Sequence, residues 1–285
     1  MKEKSSNNET MKIRDKNYPF TVLRPGGNDT CLIKTSNYMP MPDERKRIND
    51  FMQEMYPNVE QVGFVTCSPF EIELMMAGGE FCGNATRSTA WDILKGEPGE
   101  IQIKVSGVRE RLRAGVTENG EAFAQMPIYP ETLRITRDTQ TGFIVEMEGI
   151  VHYIDFDESA TKGLSQSKIK AKAAERLKEK ELDQYPAAGV IYARTDNNGL
   201  RIEPIVYVRD INTLYYETAC GSGTTALGLI LALEKNSSIK DLPIIQPSDM
   251  AIKVSIDFDR ESFKYAQIQG KVEMLNNGNV EIKKV

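Results

Sequence analysis

Two cysteines stand in near-copies of one motif, 138 residues apart (220 − 82). The first copy reads Glu80-Phe81-Cys82-Gly83-Asn84-Ala85-Thr86, the second Thr218-Ala219-Cys220-Gly221-Ser222-Gly223-Thr224. A helix-forming run follows each at once, over residues 85–95 and 224–234, so each copy sets a thiol beside a helix N-terminus. The second run is apolar nearly all round. Such a helix must be buried, which calls for a sheet curved around it. A repeat at this distance predicts a chain made of two similar halves.

Alternating and short apolar runs predict strands over 20–23, 31–34, 61–67, 71–76, 101–105, 111–117 and 122–127 in the first half. In the second they predict strands within 143–156 and over 190–194, 201–207, 251–256, 265–269 and 280–283. Further helices are expected over 43–55 and 167–182, the latter with a solvated Lys/Glu face. Gly96 is expected to stop the first motif helix. The fold class is therefore α+β: two pseudo-symmetric halves, each a curved, mostly antiparallel sheet around a central helix, with the active site in the cleft between them. The expected divisions are a disordered tail at 1–16, an N-terminal half of 17–129 plus 272–285, and a C-terminal half of 130–271, joined near Pro127 and Pro130.

At 285 residues the chain has room for such halves, and 40% hydrophobic residues suffice for their cores. A net charge of −5 argues against a nucleic-acid binder, which carries a basic face. The polar N-terminus and the lack of a long apolar run predict no membrane span and a cytoplasmic protein. Four cysteines without Cys-x-x-Cys spacing, and the single histidine His152, predict neither a disulfide framework nor a metal site. Cys31 and Cys67 lie in strand-like runs and are read as buried packing residues, and His152 as a packed strand residue.

Cys82 and Cys220 suit a different task. An α-proton of an amino acid is very weakly acidic, and inverting its carbon without a cofactor needs a base on one face and an acid on the other. A thiolate and a thiol can fill these roles and exchange them at each turnover. A helix N-terminus lowers a thiol pKa. The N–H groups of Gly83-Asn84 and Gly221-Ser222-Gly223 can bind a carboxylate and the charge that develops as the proton leaves.

These residues resemble the diaminopimelate epimerase-like family of cofactor-independent amino-acid racemases and epimerases, from about Phe20 to the C-terminus. The resemblance rests on Cys82-Gly83-Asn84-Ala85, Ala219-Cys220-Gly221-Ser222-Gly223, the Gly27-Asn28-Asp29 loop, Glu60-Gln61 and Gly149-Ile150-Val151-His152. It implies that Cys82 and Cys220 are the catalytic acid and base and that Asn28 and Gln61 line the substrate cleft. Glu217, one residue nearer its cysteine than in the family pattern, would face the substrate amino group. It implies no cofactor and no metal, a small-molecule amino-acid substrate as the partner, a last strand that returns to the first half, and a homodimer.

The departures from the family pattern bear on the substrate. Where diaminopimelate epimerases hold a distal amino-acid head, this chain carries Ile150 and Ala187, and Asn212-Thr213 stands where they place a Glu-Arg pair. A single-headed α-amino acid is therefore expected. The compact Gly78-Gly79-Glu80-Phe81-Cys82-Gly83-Asn84-Ala85-Thr86 segment resembles the histidine racemases of staphylopine-type metallophore pathways, which implies L-histidine. Diaminopimelate epimerase, proline or hydroxyproline epimerase and, in another class, a thiol-redox protein or a non-catalytic binding module remain the alternatives.

Overall fold

The computed structural model describes residues 16–36 and 38–282. Of the expected tail only Lys16 falls among these, and it opens the first strand. β1 (Lys16–Arg24) and β2 (Asp29–Thr35) form a hairpin. α1 (Pro42–Met55) crosses over to β3 (Val59–Cys67), parallel to β2, and β4 (Ile72–Met76) turns back on β3. α2 (Gly83–Leu94) crosses to β5 (Gly99–Val105), parallel to β4, and β6 (Leu112–Val116) and β7 (Ala122–Gln125) complete a meander.

The same order then recurs. A short β8 (Ile135–Arg137) leads into the hairpin of β9 (Gly142–Met147) and β10 (Ile150–Asp155). α3 (Gln166–Glu179) crosses to β11 (Ala187–Asp196), parallel to β10, and β12 (Gly199–Val208) turns back on it. β13 (Thr213–Tyr216) adds an extra strand against β12. α4 (Gly221–Lys235) crosses to β14 (Ile239–Ile245), and β15 (Ala251–Phe258) and β16 (Phe263–Gly270) form the second meander. β17 (Glu273–Ile282) returns to pair with β1. Each half thus repeats β-β-α-β-β-α-β-β-β, with parallel pairs wherever a helix makes the crossover.

In each half the second helix lies inside the curve of the sheet and the first lies outside. α1 covers a core of Ile48, Met52, Phe64 and Val62, and α3 one of Ile169, Ala173, Leu177 and Tyr153. The outward face of α3 is solvated, as its Lys and Glu content predicts. The main core runs without a break from the surroundings of α2 to those of α4 and contains both motif cysteines. The seam between the halves is the antiparallel β7–β16 pair, in which Ile268 sits opposite Ala124. A Cβ on Gly83 would lie 3.1 Å from the Ile268 Cδ1 and one on Gly221 2.6 Å from it, so only glycine lets both helices close over this side chain. Among the described residues no helix is long and apolar enough to cross a membrane.

Three strands, β8, β13 and β14, and one cysteine differ from expectation. β14 escapes the sequence pattern because its buried side is almost confined to Ile244, it bulges between Ile239 and Leu242, and it contains Pro243. Proline is tolerated there because β12 reaches β14 only at Ile245. Cys67, expected to be buried, is exposed at the end of β3, whereas Cys31 is buried as expected.

One side chain fastens the loops that frame the cleft. Arg87, in α2, is fully buried. Its Nη2 donates to the carbonyl of Pro25 at 2.5 Å and to the Asn84 Oδ1 at 3.1 Å, and its Nη1 reaches the carbonyl of Lys271 at 3.5 Å. It therefore ties the β1–β2 loop and the β16–β17 connection to the first motif helix. Arg87→Met strands those acceptors in the interior and is expected to lower stability by about 2–4 kcal/mol, read as a reduced urea midpoint. An unchanged midpoint would show that the guanidinium is not what fastens the loops.

Candidate active site

Both motif helices begin earlier than their apolar patterns suggest, at Gly83 and Gly221, which makes the cysteines themselves the N-caps. A capping serine or aspartate oxygen normally accepts a first-turn N–H; here sulfur does so. The Cys82 Sγ accepts from the Ala85 N–H at 3.3 Å and the Cys220 Sγ from the Gly223 N–H at 3.3 Å. Thr86 and Thr224 donate back to the carbonyls of Cys82 and Cys220, at 2.8 and 2.7 Å. The two turns are near-duplicates in geometry as well as in sequence.

The turns also meet. The Asn84 Nδ2 donates to the carbonyl of Ala219 at 3.0 Å, and its Oδ1 accepts from Arg87. Asn84 therefore latches one motif to the other, while its main chain remains at the helix N-terminus. Gln61 spans the thiols through Glu217. The Cys82 Sγ lies 2.6 Å from the Gln61 Oε1, and the Gln61 Nε2 donates to the Glu217 Oε1 at 2.9 Å. Glu217 also stands beside Cys220, whose thiol pKa it raises, and the Cys220 sulfur lies 3.5 Å from the Ser222 Oγ. Hydrogen bonds thus run from Cys82 through Gln61 to Glu217, which stands beside Cys220.

The electrostatics differ from the sequence expectation. The helix N–H groups do favour the thiolates, but burial outweighs them and raises both thiol pKa values above the ordinary range, and the neighbouring Glu217 adds to the rise. Glu217 itself is pushed up to about 8 by burial, and by Glu60 and Glu80 nearby. Burial likewise lifts Glu60 and Glu80 to about 7. Three carboxyls in one dry region resist simultaneous ionisation.

Asn28 adopts a left-handed conformation (φ 49°) in the β1–β2 loop. Its N–H donates to the Thr218 Oγ1 at 2.6 Å, and its buried Nδ2 has no partner. Gly27 (φ 109°) has no substitute there, because a Cβ would fall 2.7 Å from the Thr218 carbonyl. His152 is fully buried beside Gly189, and burial holds its pKa down to about 3. Sequence reasoning missed several residues that build the site. Thr218 donates its N–H and hydroxyl to Glu60. Gln246 accepts the Cys220 N–H at 2.9 Å and donates to Thr224. Neither Gln246 nor Arg87 carries a local signal for this role, since Cys220 and Thr224 lie far from Gln246 in sequence and Pro25 and Lys271 far from Arg87. Among the described residues no three His, Cys, Asp or Glu side chains gather as a metal site.

A cavity of about 350 Å³ lies beside the segment that leads into Cys82, walled by Gly79 and Glu80 and by Met147, Ile150, Tyr185 and Ala187. Ile150 and Ala187 are neighbours across the β10–β11 pair. The two apolar departures noted in the sequence thus share one cavity, and its lining holds no arginine.

A family model described as histidine racemase CntK N-terminal domain matches residues 18–280. A histidine racemase of Fusobacterium nucleatum subsp. nucleatum is 32% identical over 273 residues, covering 92% of this chain and 97% of that protein. A histidine racemase of Staphylococcus aureus is 24% identical, with 92% and 97% covered. Among solved structures, a hydroxyproline epimerase from Agrobacterium vitis with bound trans-4-hydroxy-L-proline superposes with a TM-score of 0.61 at 12% identity, covering 95% and 93% of the two chains. A phenazine biosynthesis protein of the PhzF family from Enterococcus faecalis does so with a TM-score of 0.61 at 14% identity, covering 94% and 100%. The structural neighbours share the fold of two pseudo-symmetric halves, and the sequence matches go further: the chain belongs to the histidine racemase family and is an isomerase of the racemase and epimerase class.

Proposed function

We propose that this chain racemises a free, single-headed α-amino acid, histidine foremost, by passing a proton across Cα between Cys82 and Cys220 without a cofactor. The observation that carries the proposal is the pair of matched thiols capping two converging helix N-termini, with Gln61 and Glu217 running from Cys82 to the side of Cys220. The names of the curated relatives support histidine, and the arginine-free cavity at Ile150 and Ala187 supports a substrate without a second head.

In the proposed reaction the substrate carboxylate lies against the first-turn N–H groups of α2 and α4, where two helix dipoles add. The Asn28 Nδ2, buried without a partner, is a further donor. The ammonium pairs with the Glu217 carboxylate. That cation lowers the pKa of the adjacent thiols by opposite charge, so burial no longer holds both as neutral S–H. One thiolate takes the α-proton and becomes S–H. The electron pair left on Cα spreads into the carboxylate, facing the helix ends. The opposite thiol delivers its proton to the other face and is left as the thiolate. The enantiomer leaves with the protonation states of the two cysteines exchanged.

Wild type in D₂O under reducing conditions is expected to exchange the α-proton of L-histidine and to form D-histidine. Cys82→Ser and Cys220→Ser should each reduce racemisation by about 10²–10⁴-fold. Wild-type exchange with meso-diaminopimelate and no single-headed amino acid would sink the substrate assignment. Racemisation intact in either serine variant would sink the two-thiol mechanism, and no exchange with any amino acid would favour a redox or binding role.

The pH profile follows from the direction of the shifts. Acids with raised pKa values are protonated, and idle as bases, at low pH. Glu217 ionises about pH 8 and the thiols above their ordinary range. Hence kcat/KM for histidine should rise from pH 6 to pH 9, and a profile that falls across pH 7–8 would contradict the assignment of Glu217 and the thiols.

A further inference from the structure

Glu80 lies two residues before Cys82 and takes no part in the proton transfer, yet it is held with care. Its carbonyl accepts from the Ser106 Oγ at 2.6 Å, and Ser106 in turn accepts from the Met76 N–H at 3.0 Å. The β9–β10 turn presses against the same segment: a Cβ on Gly149 would fall 2.7 Å from the Gly107 carbonyl and 3.1 Å from the Phe81 Cβ. The Glu80 backbone is therefore fixed relative to both Cys82 and the cavity.

The side chain borders the 350 Å³ cavity, and its Oε2 is sealed from solvent with no hydrogen-bond partner. The backbone N–H groups of Glu80 and Gly78 favour its ionised form, and Arg45 and Asp210 act on it through space from the pocket on its far side. Arg45 spends its Nη1 on the carbonyl of Pro40 at 2.9 Å. The other acid in the cavity lining, Glu146, is already neutralised by Arg134 at 2.6 Å. The lining of the cavity thus contains one carboxyl without an ion-pair partner, between apolar walls of Ile150, Ala187 and Met147. A buried acceptor of this kind costs free energy until a donor fills it, and the size falls within the range of small-ligand pockets. A flat ring with an N–H group satisfies both demands: its faces meet the aliphatic walls and its edge meets the acid.

We propose that Glu80 is the specificity residue of this enzyme, its carboxylate accepting the ring N–H of an imidazole side chain seated in the cavity. This rests on the proposal that the cleft racemises an amino acid, and it deepens that proposal by assigning the recognition of the side chain. Burial raises the pKa of Glu80 to about 7, near that of imidazole, so acid and ring are matched as a hydrogen-bonded pair at neutral pH.

Two measurements on the full-length wild type, Glu80→Gln and Glu80→Leu test it. Kinetics with L-histidine should give a KM raised roughly 10- to 100-fold in Glu80→Leu, with kcat changed much less. Glu80→Gln, which keeps an acceptor oxygen, should lie between. Ligand-observed NMR with 4-methylimidazole, the free side chain, should show saturable binding to wild type that Glu80→Leu loses and Cys82→Ser keeps. An unchanged histidine KM in Glu80→Leu, equal 4-methylimidazole binding to Glu80→Leu and wild type, or no binding to wild type would overturn the assignment of Glu80. Wild type that does not exchange the α-proton of histidine would instead sink the proposed function, and the 4-methylimidazole titration would still decide whether Glu80 recognises an imidazole.

Discussion

The convergence of two helix N-termini on one point is the constraint on which the rest of the structure depends. Two positive dipole ends brought together repel one another, and nothing in either helix alone would hold them there. The Asn84–Ala219 hydrogen bond latches the turns directly. The β7–β16 pair closes the two sheets beneath them, with Ile268 under Gly83 and Gly221. Arg87, although cationic itself, fastens the surrounding loops through carbonyl oxygens. The field so created favours any anion at the meeting point, whether a carboxylate, a thiolate or the charge that develops on a deprotonated Cα.

Glu60, Glu80 and Glu217 are the counterweight. Placed in the same dry region, they balance the helix ends, but their mutual repulsion and burial keep each from ionising freely. Near neutral pH the region can therefore take up or release protons at small cost. In the proposed reaction this matters, because the arriving ammonium finds an acid ready to ionise beside it. The thiols stay protonated, and hence weakly reactive toward stray electrophiles, until a substrate supplies the opposite charge.

What could be read in the sequence was local or periodic. The repeated Cys-Gly turns marked both helix starts because capping is decided within one turn of chain, and the unbroken apolar run of α4 foretold its position inside a sheet. Properties that depend on distant neighbours could not be read. Arg87 is polar, yet fully buried, because its acceptors come from Pro25, Asn84 and Lys271. Gln246 supports Cys220 from across the second half. Cys67 looks like a core residue by pattern, but the strand ends there and leaves it exposed. The thiol pKa values moved opposite to expectation for the same reason: the helix effect acts over one turn, whereas burial is the sum of everything packed around it.

Symmetry also limits where specificity can be built. If one proton crosses Cα between opposed thiols, the carboxylate, amino group and side chain stay in place while the carbon inverts. The two halves can then duplicate the acid and base, the role proposed for the matched turns at Cys82 and Cys220, but they cannot duplicate the side-chain pocket, since the substrate has one side chain. A pocket belonging wholly to one half would favour the enantiomer that leans toward it. The cavity at Glu80 is instead walled by the Gly79–Glu80 segment of the first half and by Ile150 and Ala187 of the second, so both halves share it. A side chain held there is reached alike in both enantiomers, which is the arrangement that lets a racemase be selective for a side chain while indifferent to the configuration at Cα.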